Sequence, residues 1–194
     1  MKGLARFIFE AGMLKKLRRT GYPFLGSGGE SIADHSFRAA LLGYQLALTQ
    51  PGVDAAKVAL LLLHHDVAEA RTNDLNYVNK RYVTAHEDKA NADQAADLPP
   101  AVKEKFISLF AEYEARQTPE AILAHDADQL DMIAELKEQQ DLGNPYAKQW
   151  LAYAVKRLNT NAAQQLAKEI LNTDWTEWWF EKRDDWWVPE PYGN

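Results

Sequence analysis

The run Val58-Ala59-Leu60-Leu61-Leu62-Leu63-His64-His65-Asp66-Val67-Ala68-Glu69 constrains this chain more than any other. Its first half is apolar on every side, and a helix with no polar face belongs in a core. The run then becomes ionisable without leaving the buried stripe. Val58, Leu61, Leu62, His65 and Glu69 recur at steps of three or four, so they share one helix face. Burying imidazole or carboxylate without a partner is costly, so inward groups of this kind are paired or bound to a metal. His65 and Asp66 are adjacent, about 100° apart around the axis, and a long imidazole and a short carboxylate can converge on one ion at that edge. A buried His–Asp ion pair with His64 beside it satisfies the same stretch.

Composition sets outer limits. A chain of 194 residues, 46% hydrophobic and 26% charged, is expected to form a single domain, residues 1–194, with a real core. The net charge of -6 argues against general affinity for nucleic acid or an anionic membrane. It leaves room for a small anionic substrate. With no cysteine, disulfides, thiolate metal sites and cysteine nucleophiles are excluded. No apolar run reaches membrane-spanning length, and the N-terminal MKGLARFIFEAGMLKKLRR is broken by Arg6 and Glu10, unlike a signal peptide. The expected location is cytoplasmic.

The remaining elements all read as helices. Residues 3 to 18 form an amphipathic pattern, stopped by Gly21 and Pro23. Ser31-Ile32-Ala33-Asp34 reads as a capping box opening a helix to Leu48, with His35 in its first turn on the inward face with Ala39, Leu42 and Leu46. Taken singly, such a histidine is more often a core residue than a ligand. Asp54 caps the central helix, expected to end between Ala70 and Asn73. Asp74 follows in a turn and by itself could cap a short helix from Leu75 to Tyr82. A partly helical connection runs over 84–100. Ala101 to Arg116 is a helix with Val102, Phe106, Leu109, Phe110 and Tyr113 facing in. Thr118-Pro119 then starts a long helix. Asp126, Asp128 and Asp131 lie in its interior, where aspartate is a poor helix former. A solvated acidic face suits Asp126 and Asp131; Asp128 flanks the apolar stripe. Two helices, Pro145 to Leu158 and Asn161 to Asn172, precede an extension over 174–194 that holds five of six tryptophans. It is expected to pack on the domain or on a partner subunit. No segment alternates with period two, so the fold class is all-α.

A histidine on one helix, a His-Asp doublet on a second and an aspartate on a third, with no thiol, suit a divalent ion such as Mn²⁺, Co²⁺, Ni²⁺, Zn²⁺, Fe²⁺ or Mg²⁺. The ordered segments Glu30-Ser31-Ile32-Ala33-Asp34-His35-Ser36, His65-Asp66-Val67-Ala68-Glu69, Asn73-Asp74 and Ala127-Asp128-Gln129-Leu130 resemble the HD-domain metal-dependent phosphohydrolases. The similarity is greatest to the compact branch that includes the bacterial 5'-deoxynucleotidases. It covers roughly residues 10 to 140, and the tryptophan-rich extension has no counterpart in it.

The resemblance implies a compact multi-helix bundle with one metal ion held by His35, His65, Asp66 and Asp128. It implies Glu69 and Asp74 as the groups that orient or activate water and meet substrate. Arg18-Arg19-Thr20-Gly21-Tyr22 resembles an Arg-Thr-Gly-Trp segment whose arginine faces the phosphate pocket, a role carried to Arg19 alone. His64 is expected to touch substrate or stand behind the ligands. Two positions depart from the pattern: Asn73 precedes Asp74 where relatives have glycine, and Tyr22 replaces tryptophan. The implied activity is removal of the 5'-phosphate from (deoxy)ribonucleoside monophosphates by a homodimer, with a small phosphate ester as substrate. The alternatives are hydrolysis of a cyclic or signalling nucleotide, and a non-catalytic helical metal-binding scaffold.

Overall fold

The computed structural model describes residues 1–180. Eleven α-helices follow one another in these residues. They are α1 (Lys2–Ala11), α2 (Tyr22–Leu25), α3 (Ile32–Leu48), α4 (Ala55–His64), α5 (Glu69–Thr72), α6 (Glu87–Gln94), α7 (Pro100–Ala115), α8 (Pro119–Asp141), α9 (Ala147–Ala154), α10 (Asn161–Asn172) and α11 (Glu177–Phe180). Among the described residues there is no strand; one antiparallel bridge joins Arg18 to Ser31. No helix among them is long and apolar enough to cross a membrane. Trp175 donates its backbone N–H to Asp141 at 3.2 Å, but residues 181–194 of the tryptophan-rich extension lie outside the described residues.

The core is the meeting of α3, α4 and α8, with α9 and α10 closing it. Val58, Leu61, Leu62, Leu130 and Ile133 are fully buried there. Gly43 sets how closely α3 approaches the other two. A Cβ at this position would run into Leu62 Cδ1 and come within 3.1 Å of Ala127 Cβ and Val58 Cγ1. Leu62 is itself fully buried and cannot swing clear. Helix propensity alone favours alanine over glycine by about 1 kcal/mol. Overpacking a core by one methyl costs about 1–3 kcal/mol and reverses that sign. Gly43→Ala is therefore expected to lower Tm by several degrees, measured by thermal circular dichroism; an unchanged or raised Tm would contradict the close approach.

Caps fix several boundaries. Ser31 and Asp34 form a reciprocal capping box at α3, Asp54 accepts from Lys57 N–H, and Thr118 accepts from Ala121 N–H. Other expectations fail for local reasons. The helix from residue 3 stops at Ala11, passes through a 3₁₀ turn (Gly12–Lys15), and leaves Arg18 and Arg19 extended. The helix expected over 75–82 is reduced to a 3₁₀ turn (Asn79–Arg81), because Asn76 Oδ1 captures the N–H groups of Val78 and Asn79. Val102 is exposed rather than inward, as are Leu60 and Leu63 on the outer side of α4.

The acidic residues of α8 require the largest correction. Asp126 and Asp131 are both fully buried, not solvated. Asp126 accepts four hydrogen bonds, from the backbone and side-chain amide of Asn159 and the backbone and hydroxyl of Thr160. It thereby ties α8 to the start of α10.

Candidate metal centre

The central helix does not run through the ionisable doublet. After His64 the chain tightens: Val67 N–H bonds to His64 O, Glu69 N–H to Asp66 O and Ala70 N–H to Val67 O, each three residues back. This turn between α4 and α5 presents His65 and Asp66 to the first turn of α3, which carries His35, and to the middle of α8, which carries Asp128. His35 Nε2 lies 3.1 Å from Asp128 Oδ1 and 3.8 Å from Asp66 Oδ2. His65 Nε2 lies 3.1 Å from Asp66 Oδ2 and 3.9 Å from Asp128 Oδ1. Donors held about 2.1 Å from one ion stand about 3 Å apart when adjacent and about 4 Å when opposite. The separations fall in that range.

Both Nε2 atoms and Asp66 Oδ2 are buried without a hydrogen-bond partner. Native interiors rarely tolerate three such atoms together unless something else satisfies them. The opposite ring nitrogens are committed. His35 Nδ1 donates to Asp131 Oδ2 at 2.6 Å, and His65 Nδ1 to the Leu62 carbonyl at 2.6 Å. A carbonyl or carboxylate can only accept, so each bond places a proton on Nδ1 and leaves Nε2 facing the shared point as the nitrogen able to give its lone pair to a cation. Asp131 is held in turn by Arg38 Nε at 2.5 Å, and Arg38 also reaches Glu135 at 2.6 Å and Glu138 at 3.1 Å.

The electrostatics favour positive charge at this point. Burial and Arg19 would pull the His35 imidazole down, but Asp128 and Asp131 outweigh them and push it up to about 10. Burial would raise Asp66, yet the two imidazoles and Arg19 hold it at about 2, and the same neighbours hold Asp128 well below the usual carboxylate range. These residues fit a divalent cation by donor type, spacing and charge.

A cavity of about 920 Å³ opens onto the cluster, lined by Arg19, His65, Asp66, Glu69, Asp74 and Asp128 among others. Arg19 is carried there by the extended segment: its N–H bonds to Glu30 O, and Ile32 N–H bonds to Leu17 O. Its guanidinium stands 3.6 Å from Asp66 Oδ2 and 3.8 Å from Glu30 Oε1. Asp74 Oδ2 accepts from the Thr20 N–H at 2.5 Å and the Thr20 hydroxyl at 3.1 Å, pinning the residue next to Arg19. Glu69 is buried with Oε2 unpartnered. Burial, reinforced by Asp66 and Asp74, pushes its carboxyl up to about 10.

His64 is the predicted site residue that the fold brings neither to the cluster nor to this cavity. Its Nδ1 bonds to the Leu60 carbonyl at 2.7 Å, and its ring meets Phe106 edge-on at 5.9 Å. It is not on the cavity wall. His64 ends α4 one turn past the exposed Leu60, about 100° around the axis from the face that His65 continues. Conversely, the sequence assigns no site role to Asp131, Arg38 or Glu30, and places Asp131 on a solvated face. The signal was present for Asp131: Asp128, Asp131, Glu135 and Glu138 recur at steps of three, four and three along one edge of α8.

A family model described as HD domain matches residues 11–171. The 5'-deoxynucleotidase HDDC2 of Mus musculus is 29% identical over 146 residues, which are 73% of this chain and 72% of that protein. The 5'-deoxynucleotidase hdd1 of Schizosaccharomyces pombe is 31% identical over 135 residues, 66% of this chain and 67% of that protein. Among solved structures, a conserved hypothetical protein from Pyrococcus furiosus superposes with a TM-score of 0.72 at 30% identity, covering 87% of this chain and 99% of that one.

Proposed function

Because this chain belongs to the HD-domain family, we propose that it is a metal-dependent phosphohydrolase that cleaves the 5'-phosphate from (deoxy)ribonucleoside monophosphates, giving a nucleoside and inorganic phosphate. The observation that carries the reading is the pair of imidazole nitrogens with no partner, set at ion spacing against two carboxylates beside Arg19. His35, His65, Asp66 and Asp128 would hold the ion. When bound, it supplies Lewis acidity, polarising a phosphoryl oxygen and lowering the pKa of water.

The chain's own residues do the rest. Arg19 offers a fixed, always charged fork to the phosphoryl oxygens, where charge grows in the transition state. Glu69, unpartnered on the cavity wall, orients the attacking water and takes its proton. Asp74 holds the Thr20 end of the arginine segment and so acts on phosphate placement. The names of the relatives support a nucleoside monophosphate as substrate. The exposed stripe Phe37, Leu41, Tyr44 and Leu48 along α3 supports a homodimer.

The test strips the protein of metal, restores Mn²⁺, Co²⁺, Ni²⁺, Zn²⁺, Fe²⁺ or Mg²⁺ singly, and screens nucleoside 5'-monophosphates against cyclic nucleotides. Phosphate release only from the monophosphates, and only with metal restored, is expected. Turnover confined to cyclic nucleotides would replace the reading with a phosphodiesterase. Turnover by the stripped protein would remove the metal from it. Sedimentation of the same preparation as a monomer would remove the homodimer.

A further inference from the structure

The cavity wall past Arg19 is aromatic, and none of the steps above uses it. Phe24, Tyr77 and Trp150 form a closed triad: ring centroids are 5.9 Å apart for Phe24–Tyr77, 6.4 Å for Phe24–Trp150 and 5.9 Å for Tyr77–Trp150. Tyr77 and Trp150 line the cavity. Trp150 is on α9, where Ala147, Leu151 and Ala154 are buried in the core, so the indole stands on a rigid element. Neither partner ring lies parallel to it: Tyr77 meets it at 78° and Phe24 at 43°.

Its distance from the phosphate end follows from the backbone. The benzo edge of the indole, Cζ3 and Cη2, lies 3.5 and 3.7 Å from where Gly21 would carry a Cβ. Gly21 is two residues from Arg19, so their Cα atoms are at most about 7 Å apart. Arg19 and Trp150 also line the same cavity, so a phosphate at the guanidinium and a base at the indole would share one pocket. We infer that Trp150, braced by Tyr77 and Phe24, is the stacking platform for the base of the substrate, which makes the enzyme selective for a phosphate ester bearing a base but tolerant of which base it is. Stacking on an aromatic face is sequence-tolerant because every base has such a face. The inference rests on the monophosphatase reading above and names what that site recognises at its far end.

The experiment compares deoxyadenosine 5'-monophosphate with 2-deoxyribose 5-phosphate, the same ester without the base. The proteins are wild type, Trp150→Ala, Trp150→Phe and Tyr77→Ala, each first checked by circular dichroism for intact helix content. The ratio of kcat/KM for nucleotide over sugar phosphate is expected to fall about tenfold or more in Trp150→Ala, carried by KM, to recover mostly in Trp150→Phe, and to fall less in Tyr77→Ala. Calorimetric binding of deoxyadenosine to the metal-free proteins supplies a readout that needs no turnover, and is expected to weaken about tenfold in Trp150→Ala. An unchanged ratio, or equal nucleoside binding by wild type and Trp150→Ala, overturns the platform. If neither ester is hydrolysed but nucleoside binding still depends on Trp150, the platform stands and the monophosphatase reading falls.

Discussion

Asp66→Ala is expected to lose bound divalent ion and about a thousand-fold or more of kcat/KM while keeping its helices. The Asp66 Oδ2 atom stands 3.1 Å from one imidazole nitrogen and 3.8 Å from the other, and it has no hydrogen bond to lose. Its removal leaves Asp128 as the single carboxylate facing the two rings. The contribution of a metal to phosphoryl transfer is several kcal/mol, and about 4 kcal/mol corresponds to a thousand-fold in rate. Elemental analysis of the purified variant and steady-state assay with ion in excess check the two halves. A plain buried ion pair makes a different forecast: stability would fall on removing one partner, and the residual folded protein would turn over normally. Wild-type metal content with kcat/KM within tenfold of wild type would end the proposed role of Asp66.

Glu69→Gln is expected to separate activity from stability. The substitution keeps the shape of the side chain and removes its ability to accept a proton, which is worth roughly 10²–10⁴ in rate for a general base. Stability should hardly change. Burial, together with Asp66 and Asp74, pushes the Glu69 carboxyl up to about 10, so near neutral pH in the metal-free chain it is already the uncharged acid; a cation held beside Asp66 would offset the charge that raises it and free the carboxylate to accept a proton. An amide in its place buries no new charge. The expected result is a kcat lowered at least a hundred-fold, with thermal midpoints of the metal-free proteins indistinguishable. A variant with near-wild-type kcat would transfer the proton-accepting role away from Glu69. A variant whose melting falls sharply would make the residue a structural one.

The stretch that holds Asp66 and Glu69 also shows what kind of information the sequence carries. His65 and Glu69 were expected on the buried face with Val58, Leu61 and Leu62, and all five are buried. Spacing was sufficient, because burial of a stripe follows from periodicity alone. The same reasoning failed for the opposite side of α4. Apolarity all round the helix implies burial all round, yet Leu60 and Leu63 are exposed. Which faces of a helix are covered depends on how many neighbours surround it, and a local pattern does not contain that number. His64 failed for a finer reason. It ends α4 one turn past the exposed Leu60, so the helical step that brings His65 to the inward face carries His64 away from it, toward Phe106.

Asp131 and Asp126 make the same point from α8. Each is an aspartate in a helix interior, for which a solvated face is the local expectation. Each is fully buried because its partners come from far along the chain: Arg38 and His35 for Asp131, Asn159 and Thr160 for Asp126. A carboxylate enters a core only when donors at the right distance offset its desolvation, and no local pattern announces donors 93 residues away.

By itself, then, the sequence determined the helical class, the capped starts of the main helices and the chemical types able to converge, because these depend on periodicity and composition over a few turns. The tertiary structure alone decided that the two unpartnered imidazole nitrogens face two carboxylates across a gap of 3.1 to 3.9 Å. It also decided that Arg38 and Asp131 aim one of the rings, and that an indole from α9 stands beside the arginine segment. Those relations are distances between elements remote in sequence. The approach of α3, α4 and α8 at Gly43 is one of them, and a one-dimensional pattern has no term for such a distance.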